Sequence, residues 1–186
     1  MAELARIGAP TRLVSVDNGF VAREHAVVRD LRRAVLAMLP GLGTGYSPEL
    51  LLSVLQTAVV HLRDRVADDS SPALVDSYYY KLLAKCRLLG LDDHPLYAWW
   101  RSFPRPYRVF WLDVSPQTAW RRGGGRANRL EHHGPRLDWD SFDGFQRELR
   151  KLMLDEVADL PLTVLPEHHD VAHTARAIAE ALDHGP

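Results

Sequence analysis

Residues 12–31 read "RLVSVDNGFVAREHAVVRDL". The apolar residues 13–16 have the length of a short buried strand, and Asp17, Asn18 and Gly19 are turn formers. From Ala22 onward Val27, Leu31, Val35 and Met38 recur at helical spacing until Pro40 stops the pattern. Strand, turn and helix in this order is how anion-binding loops are built, because the first turn of a helix leaves main-chain N–H groups without partners. Yet the turn holds no lysine, and its one arginine, Arg23, is followed by Glu24.

The rest of the chain repeats the alternation of short apolar runs and longer amphipathic ones. Ser47 and Pro48 form a helix start, after which Leu51, Leu55, Ala58, Leu62 and Val66 lie on one stripe. Residues 72–76, "PALVD", are short, apolar and end on an aspartate, and residues 78–89 read as a helix closed by Gly90. The proline- and aromatic-rich "HPLYAWWRSFPRPY" predicts a short helix and a turn, with Trp99, Trp100 and Phe103 as core. Residues 108–114, "RVFWLDV", are the clearest buried strand, with Ser115 and Pro116 opening the next helix. A glycine- and arginine-bearing surface segment follows, then a helix capped by Ser141 that carries Phe142, Phe145, Leu149, Leu152 and Val157. Residues 162–165 give a last strand and 171–182 a last helix. Short strands separated by helices predict an α/β domain with a parallel sheet covered on both faces, because parallel neighbours need crossover connections. Ligands of such sheets gather at the carboxyl ends of the strands.

At 186 residues the chain fits one domain. Its 23 basic and 24 acidic residues balance to a net charge of -1, so neither nucleic acid nor a membrane is expected as a partner. Cys86 is the single cysteine, which excludes an internal disulfide. The N-terminal residues lack the cationic start and apolar run of a signal peptide, and a cytoplasmic location is the expectation. His132 with His133 and His168 with His169 lack the spacing of a zinc site.

Two longer segments carry a resemblance. "ELLLSVLQTAVVHLRDRV" followed by "PALVDSYYYKLLAKCRLLG" resembles the second long helix and the aspartate-arginine-tyrosine strand end of the thymidylate kinases, P-loop nucleoside monophosphate kinases. "VFWLDVSPQTAWRRGGGRANRLEH" resembles that family's strand, its aspartate-valine-x-proline helix start and its arginine-rich lid, here at about residues 121–137. The resemblance implies a single three-layer domain of the P-loop type spanning 1–186, with a parallel sheet flanked by helices. It also shows what has changed. Laid over residues 17–25, the family's loop E-G-x-x-G-x-G-K-[ST] finds Asp17 at the acidic position. Asn18, Val21 and Arg23 replace three glycines, Glu24 stands in the lysine position and His25 in the hydroxyl position. The Walker A loop is degenerate. Glu24 would repel a phosphate charge by roughly 4 kcal/mol at about 4 Å and effective dielectric 20, so ATP is not expected as a cofactor.

The acceptor side departs as well. Asp76, Ser77 and Tyr78 stand where the family has aspartate, arginine and tyrosine, so the phosphate-holding arginine is missing, and Lys85 and Cys86 replace base-reading residues. Arg121, Arg122, Arg126 and Arg129 remain in the lid, with Asn128 in place of aspartate and Glu131 retained. They suit a clamp on a phosphate ester, or a plain solvated arginine run. Asp17, Glu24, His25 and Asp76 are the acid–base candidates, and Asp17 with Asp76 the carboxylates that would hold a metal such as magnesium. Arg23, His61, Ser77, Tyr78, Lys85 and the lid arginines are the substrate-binding candidates, His61 and Arg65 sharing a helix face. The expected ligand is a phosphorylated or nucleoside-like small molecule. Three activities fit: a repurposed, ATP-independent transferase, lyase or hydrolase; a non-catalytic pseudokinase, pairing as a homodimer through the helix of residues 48–66; or a nucleoside monophosphate kinase with an unusual loop. The residues favour the first.

Overall fold

A computed structural model describes residues 1–7, 12–67, 71–125, 129–134, 136–168 and 170–183. The chain is mixed α/β. Strands β1 (Arg12–Val14) and β2 (Ala73–Val75) form one parallel pair, and β3 (Val109–Asp113) and β4 (Leu162–Pro166) another. One continuous parallel sheet was the expectation. The described strands instead make two separate two-stranded ladders. Eight α-helices are described: α1 (Ala2–Arg6), α2 (Ala26–Met38), α3 (Pro48–Ala67), α4 (Tyr80–Leu88), α5 (Pro95–Arg101), α6 (Pro116–Arg122), α7 (Trp139–Glu156) and α8 (Val171–Asp183). No helix among the described residues is long and apolar enough to cross a membrane.

Both ladders are covered by helices. Leu13, Leu74, Phe110 and Leu165 pack with Leu4 of α1 and Ala175 and Ile178 of α8. Val14, Val75 and Val109 belong to the larger cluster, to which α3 contributes Leu51, Leu52, Leu55, Val59 and Leu62. Each of these side chains, removed from water, contributes roughly 1.5–3 kcal/mol, so α3 is the principal prop beneath β1 and β2. Two of the buried aromatics keep their polar ends satisfied: Tyr97 Oη donates to Leu91 O at 2.7 Å and Trp100 Nε1 donates to Gln56 Oε1. Glu156, nearly buried, takes Arg101 at 2.6 Å and Arg87 at 3.5 Å, tying α7 to α5 and α4.

Local signals place most helix starts. Ser47 Oγ accepts from Leu50 N at 3.1 Å and Ser115 Oγ from Thr118 N at 3.2 Å, as caps with proline at the first helical position should. Three expectations change. The buried stripe of α2 runs Val28, Leu31, Val35, Met38, with Val27 on the solvent side at 71% exposure. Helix α7 is capped by Asp138, whose carboxylate accepts from Ser141 N at 3.0 Å, while Ser141 Oγ donates to His133 O at 2.7 Å. Trp100 and Phe103 are core, but Trp99 is 41% exposed and stacks edge-on against Phe103.

Candidate functional site

Ser15 follows β1 and is 2% exposed. Its Oγ donates to Asp76 Oδ2 at 3.2 Å and accepts from Asp17 N at 3.1 Å, so one hydroxyl fastens the end of β1 to the end of β2 and starts the loop. Asp76 is held on its other oxygen by Ser77 Oγ at 2.9 Å. Ser77 (φ 62°) and Tyr78 (φ 40°) then turn the chain through the left-handed region before α4 begins at Tyr80. Non-glycine residues there are costly, and such strain gathers at functional junctions.

The loop after β1 turns its N–H groups inward. Gly19 N donates to Asp17 Oδ1 at 2.9 Å. Phe20 N and Val21 N donate to Asp17 O at 2.8 and 3.2 Å, and His25 N to Ala22 O at 3.1 Å. Arg29 reaches back from α2 to Asn18 O at 3.1 Å and Val21 O at 2.7 Å. A phosphate cradle needs these N–H groups converging on an outside anion; here they close turns.

Beneath the loop lies a cavity of about 110 Å³ lined by Ser15, Glu24, His25, His61, Arg12 and Arg65, among others. It has room for several waters or one phosphoryl group and falls well short of the roughly 300 Å³ at which whole-ligand pockets begin. The His25 and His61 rings are 5.0 Å apart, edge to face. Burial, reinforced by the charges of His25 and Arg65, lowers the pKa of His61. A neutral imidazole beside a water-sized space is equipped to take up a proton.

The structure thus gathers some predicted residues and disperses others. Glu24, His25 and His61 share the small cavity, and Asp76 touches it through Ser15. Asp17 sits in its own turn, and Arg23 is exposed and lines neither described cavity. Among the described residues no three His, Cys, Asp or Glu side chains are placed to hold one metal ion, so a cation at Asp17 and Asp76 would have two carboxylates at most, and solvent. Tyr78 is buried; its hydroxyl has no hydrogen-bond partner and its pKa is pushed up to about 12, chiefly by burial. Lys85 is 8% exposed and lies 3.7 Å from Glu131, where burial lowers its pKa to about 8.

Of the lid arginines, Arg121 donates to Thr118 Oγ1 at 2.9 Å and Arg122 to His168 O at 2.9 Å. Arg126, Asn128, His169 and the side chain of Arg129 lie outside the described residues. Ser15 was the residue missed by sequence reasoning; its signal was a hydroxyl set inside the apolar run "LVSV". Scanned against protein-family models the chain matches none, and it has no significant match among curated proteins.

Proposed function

We propose that this chain is a divergent, three-layer thymidylate kinase-like domain that has lost ATP-dependent phosphotransfer and acts, without ATP, on a phosphorylated small molecule. The observation that carries this reading is the inward hydrogen bonding of residues 17–25. The N–H groups of Asp17, Gly19, Phe20, Val21 and His25 are committed within the loop and cannot also wrap a polyphosphate, and Glu24 stands where a cation is needed. The cavity below is the right size for a single phosphoryl group, and Arg12 and Arg65 outnumber Glu24 in its walls. His61 is the base of the pair, since burial lowers its pKa, with Glu24 and His25 as its neighbours in the cavity wall. The remainder of the ligand, nucleoside-like or otherwise, lies outside the cavity toward Asp76 and Ser77.

One observation favours the non-catalytic alternative. Asp17, among the four acid–base candidates, is committed to its own turn, which reduces the machinery to Glu24, His25 and Asp76. Titration calorimetry with inorganic phosphate, thymidine monophosphate, thymidine and magnesium-ATP separates these readings. The proposal expects heat from the first two, abolished in His61→Ala, and none above background from magnesium-ATP. Monoester binding with no turnover of any ester would leave the pseudokinase. No binding by any phosphate compound defeats both.

A further inference from the structure

The small cavity behind β1 has hydrogen-bond acceptors in its wall as well as cations. Ser15, 2% exposed, is one of the lining residues. Asp17 N can only donate and the Asp76 carboxylate can only accept, so their contacts with Ser15 Oγ at 3.1 and 3.2 Å fix the roles of this hydroxyl. Its one proton is engaged by Asp76, and what remains on the oxygen is a lone pair. Glu24, an exposed residue, is the second acceptor in the wall, and a carboxylate has no proton to give.

Beside these stand Arg12 and Arg65, both half-buried, and the imidazoles of His25 and His61. Arg12 Nη1 donates to Arg65 O, which ties β1 to the last turn of α3. Sulfate, doubly charged and without a proton, would suit the two guanidinium groups but would set oxygen lone pairs against those of Glu24 and Ser15. A phosphoryl group has the same tetrahedral shape and differs in one respect. The second ionisation of a phosphate monoester falls at about 6, so it can keep an acidic O–H in the range where the protein works.

Resting on the reading that this cavity takes a phosphoryl group, we propose that it selects oxyanions that keep an acidic proton, with Glu24 as the specificity-determining residue that accepts the P–OH hydrogen bond. The ligand class is orthophosphate or the terminal phosphate of a monoester; sulfate, sulfate esters and phosphodiesters lack the proton and are rejected. An O–H donating to a carboxylate is among the stronger hydrogen bonds, whereas two oxyanions face to face repel. Glu24 then changes from an obstacle to phosphate into the group that chooses among anions. Attraction to Arg12 and Arg65 alone would favour doubly charged sulfate over a phosphate that has kept its protons, so the order expected here is opposite to that of a plain cationic pocket.

The test is titration calorimetry of the full chain near pH 6, at constant ionic strength, with orthophosphate, methyl phosphate, arsenate and sulfate. Arsenate is larger than phosphate yet keeps its protons as phosphate does, which separates protonation from size. Binding of the first three should be about tenfold or more tighter than that of sulfate. The tighter of orthophosphate and methyl phosphate tells whether the free ion or an ester is the ligand, and either order supports the selection. Glu24→Gln, whose amide can donate to an aprotic oxygen, should narrow the gap to about threefold or less by strengthening sulfate. Glu24 is exposed, so the substitution leaves the fold intact, which an unchanged urea midpoint verifies. The selection is overturned if the gap in the wild type is smaller than predicted, if arsenate groups with sulfate, or if Glu24→Gln leaves the ratio unaltered. Binding of none of the four defeats the phosphate reading itself and this inference with it, whereas equal binding of phosphate and sulfate defeats the selection alone.

Discussion

Ser15 Oγ lies 3.2 Å from Asp76 Oδ2, and this hydrogen bond joins a residue that lines the small cavity to one that lines a cleft of about 1150 Å³. On the Ser15 side is the phosphate-sized space with Glu24, His25 and His61; on the Asp76 side the long cleft begins. Replacing Ser15 by alanine leaves Asp76 Oδ2 and Asp17 N without their partner. The expected cost is about 1–3 kcal/mol in urea-induced unfolding, together with weaker phosphate binding. An unchanged midpoint would show that the bond contributes nothing.

His61 gives the stability a pH dependence of known sign. Its folded pKa lies below the ordinary value of 6.5, so the unfolded chain takes up its proton first. The contribution of this group is complete above the unfolded pKa and declines as pH falls through the folded one. The urea midpoint of the wild type should drop more steeply between pH 7 and 5 than that of His61→Gln. Parallel curves would contradict this. An anion bound beside His61 favours its charged form, so phosphate binding near neutral pH should be accompanied by proton uptake, measurable from titrations in buffers of different ionisation enthalpy.

Lys85 behaves in the same direction at higher pH. Burial, then the charge of Lys81, brings its pKa from 10.5 to about 8, with Glu131 opposing. At pH 7 the folded state carries a buried ammonium at a cost, and the penalty disappears as pH rises through about 8 toward 10.5. Lys85→Met should therefore stabilise the protein by about 1–3 kcal/mol at pH 7, and by less at pH 10. Destabilisation at pH 7 would mean that the 3.7 Å contact with Glu131 outweighs desolvation.

Ser77 occupies φ 62° on a non-glycine backbone. Ser77→Gly relieves that strain and loses a partly exposed hydrogen bond to Asp76, so a net gain of up to about 1 kcal/mol is expected. A loss of more than that, read from the same unfolding curves, would identify the Ser77–Asp76 bond as the dominant contribution.

How far the sequence could be read follows from the range of each signal. Caps at Ser47 and Ser115 depend on neighbouring residues alone, and both occur where proline follows the hydroxyl. The face of α2 differs by one position, because "VV" at 27–28 offers two apolar residues and only the tertiary fold selects Val28 for burial. The cap of α7 was assigned to Ser141, yet Asp138 lies three residues earlier with an equally good acceptor, and His133 O draws the serine hydroxyl away. The resemblance pointed to the loop and to Asp76. It had no means of indicating that Ser15 joins them, since that bond spans 61 positions. Nor does any local pattern announce that β2 and β3 stay apart, because strand pairing is decided by the whole fold.

The hydrogen bonds that Gly19, Phe20, Val21 and His25 N–H make within the loop are probed by amide exchange during a magnesium-ATP titration. The prediction is that Gly19, Phe20, Val21 and His25 exchange at the same rate with and without nucleotide, and that calorimetry shows no saturable heat. Micromolar binding with these four amides newly protected would contradict it, because the same N–H groups would then be holding phosphate.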